Sequence, residues 1–169
     1  FSVASGTYNV DRTVVLTVDT AGATIHYTQN GDEPTEADPA LTSGGSVLVT
    51  SSQTLKAKAW KAGMPAGETV QAVYTLKVAT PTVSPTATTY TTPQNVTMST
   101  TTPGSTLRYT IDGTNPTESS TAFAGAVNTA NTTTYRIIGF KSGWTASDVR
   151  VSTYTMNFGT LAAPTVTPA

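Results

Sequence analysis

The chain of 169 residues contains no cysteine, which excludes disulfides, thiolate metal sites and cysteine nucleophiles. Charged residues make up only 11%, well below the quarter or so usual for soluble domains. Lysine and arginine number 9 against 10 aspartates and glutamates, a net charge of −1. No basic cluster forms a phosphate-binding stripe, so no nucleic-acid partner is expected. No apolar run approaches the roughly 18 residues that a spanning helix needs, so no membrane insertion is expected. No window shows helical periodicity, and no cofactor is expected.

What remains is rich in threonine, followed by alanine, valine, serine and glycine. Threonine and valine are β-branched, stiff at χ1 and suited to a pleated surface. The 10 prolines and 13 glycines are scattered as turn residues are, with Gly44 and Gly45 the only like pair in adjacent positions. A polar surface with few charges is common in extracellular bacterial modules, so an extracellular or cell-surface location is expected. The sequence opens inside a module, at Phe1-Ser2-Val3, and is expected to be a mature fragment.

The chain repeats. Ile25-His26-Tyr27-Thr28 returns as Leu107-Arg108-Tyr109-Thr110, an offset of 82 residues, and Asn30-Gly31-Asp32-Glu33-Pro34-Thr35 returns at the same offset as Asp112-Gly113-Thr114-Asn115-Pro116-Thr117. Further on, Trp60-Lys61-Ala62-Gly63 matches Phe140-Lys141-Ser142-Gly143 at an offset of 80. The second copy has lost two residues in the loop spanning 36–45, where insertions are cheap. Three units are expected: residues 1–78, residues 79–159, and a terminal segment, 160–169, that echoes the opening of the second unit.

Alternation marks the strands. Ile25 and Tyr27 share one face, with Leu107, Tyr109 and Ile111 as their counterparts. Residues 55–60 and 135–140 form a second pair of strands, and 70–76 and 149–156 close each copy. Asn30-Gly31 and Asp112-Gly113 suit a tight turn with φ > 0 at both central residues. Each copy should hold about seven short strands in a small antiparallel sandwich. The fold class is all-β, with two β-sandwiches in tandem.

The run Gly22-Ala23-Thr24-Ile25-His26-Tyr27-Thr28, then Asn30-Gly31 and Pro34-Thr35, resembles the chitobiase/β-hexosaminidase C-terminal domain family. So does the stretch from Thr54 through Gly63 with Val73-Tyr74-Thr75, and Pro103-Gly104-Ser105-Thr106-Leu107-Arg108-Tyr109-Thr110-Ile111-Asp112-Gly113 repeats the marks. The resemblance implies an immunoglobulin/fibronectin III-like sandwich. It also implies an accessory module of a secreted or surface bacterial protein, often beside glycoside hydrolase or adhesin domains. It brings no catalytic residues, so no enzyme is expected.

The residues themselves agree. His26 is the only histidine, and the second copy has Arg108 in its place, so a Ser–His–Asp site is unsupported. Asp32, Glu33, Glu36 and Asp38 gather around one turn, but not at EF-hand spacing, and only Asp112 and Glu118 answer them in the second copy. A solvated acidic loop is expected rather than a metal site. Asn95-Val96-Thr97 and Asn131-Thr132-Thr133 match the glycosylation sequon.

Two sets of residues stand out. Trp144, Trp60 and Phe140 are candidates for stacking on pyranose faces; the alternative is that Trp60 and Phe140 cap module ends while Trp144 shields a sheet edge or packs on the neighbouring module. Ala163-Pro164-Thr165-Val166-Thr167-Pro168 is a candidate donor strand, since it repeats Thr80-Pro81-Thr82-Val83-Ser84-Pro85 while the first copy lacks that opening. The alternative is the start of a third module. The expected partners are therefore neighbouring domains of the same polypeptide, neighbouring copies of the chain, or polysaccharide. Three roles follow: spacer or display module, carbohydrate-binding accessory module, or subunit of a strand-donated fibre.

Overall fold

A computed structural model of the chain describes residues 1–165. They form fifteen strands and no helix. The first copy contributes β1 (Gly6–Tyr8), β2 (Arg12–Val15), β3 (Thr24–Thr28), β4 (Ala40–Thr42), β5 (Ser46–Val49), β6 (Gln53–Trp60) and β7 (Val70–Leu76). The second contributes β8 (Thr82–Ser84), β9 (Thr89–Tyr90), β10 (Gln94–Ser99), β11 (Thr106–Thr110), β12 (Thr121–Ala122), β13 (Val127–Thr129), β14 (Thr133–Phe140) and β15 (Arg150–Met156).

Both copies build the same two layers. A five-stranded sheet runs β1-β7-β6-β3-β4 in the first and β9-β15-β14-β11-β12 in the second. Facing it are β2-β5 in the first and β8-β10-β13 in the second. All pairings are antiparallel except β1 with β7 and β9 with β15, so the edge strand of each large sheet runs parallel to the last strand of its copy. These are two tandem immunoglobulin/fibronectin III-like β-sandwiches.

The period-two pattern of the sequence places the cores. In β7, Ala72, Tyr74 and Leu76 are buried while Gln71 and Val73 face solvent. They meet Val14, Leu16, Ile25, Val47, Val49 and Leu55 in the first core. Val96, Met98, Leu107, Tyr135, Ile137 and Tyr154 form the second. Fully burying such a side chain is worth about 1.5–3 kcal/mol, so a few inward positions on each strand hold the layers together.

Paired tyrosines pin the first segment of each copy to its core. Tyr74 donates from its hydroxyl to the Val3 carbonyl at 2.7 Å, and Tyr154 donates to Pro85 at 2.6 Å. Tyr8 and Tyr90 each reach back four residues, to Ala4 and Thr86, at 2.8 and 2.7 Å. The buried tip of an otherwise apolar ring needs such an acceptor.

Two local expectations fail. Ile111 lies beyond the end of β11 and is exposed, because the chain turns away after Thr110. The Asn-Gly and Asp-Gly pairs are not hairpin turns: only the glycines take positive φ, 84° at Gly31 and 86° at Gly113. Instead the side chain of the first residue accepts a backbone hydrogen bond two residues on, Asp32 N–H to Asn30 Oδ1 at 3.0 Å and Thr114 N–H to Asp112 Oδ1 at 2.9 Å. This is an Asx turn. Thr28 and Thr110 close it by donating to the carbonyls of Asp32 and Thr114.

Replacing Tyr154 with phenylalanine leaves the Pro85 carbonyl without its partner and should cost about 1–2 kcal/mol in urea unfolding. Burial, with the neighbouring Tyr90 and Tyr135 hydroxyls, pushes the Tyr154 phenol above its ordinary value near 10. A raised pKa in the folded state gives stability that is complete below the ordinary value and lost as pH rises through the raised one. The wild-type chain should therefore lose stability above about pH 10, and Tyr154→Phe should flatten that loss.

Candidate functional site

Trp144 sits between the modules. It belongs to the β14–β15 loop of the second copy, yet its half-buried ring packs on the first core and its indole N–H donates to the Thr50 carbonyl at 2.8 Å. The loop can come this close because Gly143 takes a φ of 75°; a Cβ built there would lie 3.0 Å from Ser51 Cβ. The Gly143 carbonyl accepts from Ser52 N–H at 3.0 Å. Lys141 lies 3.9 Å above the Trp144 ring and 3.6 Å from Asp11 of the first copy.

The connection between the modules is part of the same contact. Thr145 N–H donates to the Leu76 carbonyl at 2.8 Å and the Thr145 carbonyl accepts from Val78 N–H at 3.0 Å, a parallel bridge across the junction. Lys77 pairs with Asp148 at 2.7 Å. Thr102 donates to Asn9 of the first copy at 3.0 Å and accepts from Ala79 N–H at 2.9 Å. Val78 is 1% exposed and Pro81 is fully buried. Val78 lies over Gly139 so closely that a Cβ built on Gly139 would stand 2.7 Å from Val78 Cγ1. The exposed ion pairs add at most about 1 kcal/mol each, so apolar packing and backbone pairing set the geometry.

Trp60 and Phe140 lie elsewhere, in matched open grooves on the two large sheets. The first is lined by Gly22, Thr24, His26, Glu36, Trp60 and Met64 among others and encloses about 510 Å³. The second, about 350 Å³, is lined by their counterparts Gly104, Thr106, Arg108, Glu118 and Phe140, with Lys141 and Ser142. His26 meets the Trp60 ring edge-on at 5.2 Å, and Lys58 stands 5.6 Å from that ring. His26 donates from Nδ1 to the Asp38 carbonyl at 2.9 Å, and Arg108 does the same to Ser120 at 3.0 Å. His26 is thus half-buried in a groove wall, holding a turn. Sequence reasoning paired Trp60 with Phe140 but missed Glu36 and Glu118 as groove residues; their shared offset of 82 was the available signal.

Two of the acidic residues around the turn are held by partners of their own. Glu33 accepts from the Thr69 hydroxyl, which lowers its pKa, and Lys56 and Lys58 at 3.8 and 3.7 Å lower it further. Asp38 is lowered by the Thr35 N–H and then the Thr35 hydroxyl, each bonded at 2.8 Å. Among the described residues no group of three or more histidines, aspartates or glutamates is placed to hold a metal ion. Of the terminal candidates, Ala163, Pro164 and Thr165 are exposed and outside any strand, and Val166, Thr167 and Pro168 lie outside the described residues.

A family model described as the chitobiase/β-hexosaminidase C-terminal domain matches residues 3–71 and again 85–153. The chain belongs to this family, with two copies in tandem. No curated protein matches the chain. Similar solved structures include the N-terminal eight immunoglobulin domains of Down Syndrome Cell Adhesion Molecule, with a TM-score of 0.35 and 14% identity over 91% of this chain and 25% of that one. They also include the fibronectin(III)-like modules of Clostridium thermocellum CbhA, with a TM-score of 0.31 and 15% identity over 91% of this chain and 90% of that one. The chain therefore spans a quarter of the length of the immunoglobulin-domain chain.

Gly139→Ala tests the junction separately from the modules. The first copy carries Ala59 at the matching position, so the sandwich itself tolerates a methyl group there. The added Cβ should push Val78 off its seat. Backbone NMR relaxation should show the two modules tumbling less alike, with little change in the amide shifts of the β11–β14 pair beyond the contact.

Proposed function

We propose that the chain is a non-catalytic spacer in a secreted or cell-surface multidomain protein, holding flanking domains at a fixed separation and orientation. The observation that supports this reading is the junction at Val78, Gly139 and Trp144. A flexible tether needs none of those contacts, whereas a spacer that transmits orientation needs all of them. The family's place at the C-terminus of larger enzymes fits an accessory role. Of the acidic loop, Glu33 is engaged by Thr69, Lys56 and Lys58 and Asp38 by Thr35, which leaves neither free as half of the carboxyl pair that glycoside hydrolysis requires.

Small-angle scattering should fit one fixed arrangement of the two modules for the wild-type chain. Trp144→Ala removes both the ring and its bond to Thr50, and should broaden the distance distribution to one that needs an ensemble. A wild-type profile that already needs an ensemble of inter-module angles would sink the spacer reading.

The repetition of the aromatic groove favours a second reading, carbohydrate binding at Trp60 and Phe140. Each groove sets a half-buried aromatic beside a cationic or imidazole side chain and a free carboxylate, which suits stacking plus hydrogen bonding to a sugar. Trp60→Ala with Phe140→Ala should then reduce retention on insoluble chitin or cellulose by about tenfold, the loss of about 1.4 kcal/mol. Wild-type protein that is not retained rules the reading out.

A further inference from the structure

The two modules differ at one end of the sandwich in a way that the contact between them does not explain. In the first, residues 42–46 join Leu41 to Val47; in the second, only residues 124–126 join Phe123 to Val127. Leu41 and Phe123 are matched. Ile25 pairs with Leu41, and the Leu107 carbonyl accepts from Phe123 N–H at 2.9 Å. The longer loop closes the first module. The Ser43 hydroxyl accepts from Val18 N–H and donates to the Val18 carbonyl, both at 2.9 Å. Gly44 N–H donates to the Leu16 carbonyl and the Gly45 carbonyl accepts from Leu16 N–H, again at 2.9 Å. Gly45 lies so near Leu41 that a Cβ built on it would stand 3.0 Å from Leu41 Cβ.

The shorter loop leaves that end of the second module open. The β10–β13 ladder stops at Val96 and Val127, and a Cβ built on Gly125 would meet nothing within 4 Å. Phe123 is left half-buried in the wall of a groove of about 530 Å³, with Ser99, Thr100, Ser105, Thr106 and Leu107. The groove is open with the first module in place, for Thr102 at its rim is the residue bonded to Asn9. It meets the Phe140 groove at Gly104 and Thr106, which line both. Phe140 pairs with Thr106 on one side of β11, and Phe123 follows β12 on the other, so the two rings stand two strand spacings apart, roughly 10 Å. We propose that the second module takes an extended, uncharged sugar chain across both rings, with Phe123 as a second stacking platform. This rests on the carbohydrate reading of the Phe140 groove and assigns it a length and a module.

The chemistry between the rings suits that ligand. No charged residue lines the Phe123 groove, so it offers nothing to a phosphate or to an ionised peptide side chain. Its hydroxyls are held in place and still able to accept. Thr100 donates to the Ala79 carbonyl at 3.0 Å and Ser105 to the Thr102 carbonyl at 2.8 Å, and each keeps lone pairs for the hydroxyls of a sugar. Where the grooves meet, Arg108 spends one N–H on the Ser120 carbonyl and retains the others as donors. Aromatic faces at both ends with hydroxyl acceptors between them match a pyranose chain, whose ring faces are apolar and whose edges are polar. The first module keeps its single ring, Trp60, and its closed end stops a chain from running on.

The test is a titration of the isotope-labelled full chain with the disaccharides and hexasaccharides of cellulose and of chitin, followed by amide shifts. A disaccharide should move amides around Trp60 and Phe140 alone. The hexasaccharide of at least one series should also move Ser105, Leu107 and Phe123, and should bind the second module about tenfold more tightly than the first. Phe123→Leu installs the side-chain type of Leu41 and keeps the core apolar. It should remove that tenfold gain and leave disaccharide binding unchanged. Exchanging residues 124–126 for the sequence of residues 42–46 should do the same by closing the groove. Hexasaccharides that bind both modules alike, shifts that never reach Phe123, or a gain that survives either change would overturn this inference and leave the Phe140 reading standing. Wild-type protein in which no oligosaccharide moves any of these amides overturns both.

Discussion

The arrangement of the whole chain depends on one close contact, a valine side chain seated on a glycine. Val78 can be dry only if the floor beneath it has no side chain, and Gly139 provides that floor. Once Val78 is held, the backbone on either side pairs with Thr145, Ala79 meets Thr102, and Pro81 is buried. The connection between the two sandwiches is thus buried against the second module and not a loose cord. Trp144 completes the same contact from the opposite side, with its ring on the first core and its N–H on Thr50.

The two copies agree where a sandwich needs agreement and differ where they touch. The tyrosine hydroxyls on the Val3 and Pro85 carbonyls, the Asx turns, and the buried Pro34 and Pro116 recur because each closes a single module. Trp144 against Met64, Thr145 against Pro65, Gly139 against Ala59 and Ser147 against Gly67 differ, and in the second copy all four lie at or beside the contact between the modules. Divergence between repeats here marks contact, and conservation between them marks the scaffold.

Much of this was legible in the sequence. The 82- and 80-residue offsets mark the copies, and alternation places the inward residues of β3, β6, β7 and their partners. The Asn-Gly pair misled because its usual hairpin role depends on which strands meet, and β3 turns not to β6 but to β4. Ile111 misled because periodicity says nothing about where a strand stops. The surroundings of Trp144 and Gly139 could not be read locally, since their partners lie some 60 to 95 residues earlier and are set by how one sandwich sits on another. The grooves at Trp60 and Phe140 were half legible: the aromatic pair was visible, while Glu36 and Glu118 join it only through the loop after the turn.

The glycine under Val78 also gives the chain a direction. The clasp draws Gly139, Trp144, Thr145 and Thr102 from the second copy and meets Thr50, Asn9 and Asp11 of the first, which itself carries Ala59 at the position of Gly139. Exchanging the order of the two copies would keep every sandwich intact and yet put Ala59 beneath the joining valine. The repeats are alike as folds but not interchangeable as parts, and their sequence order is itself structural information.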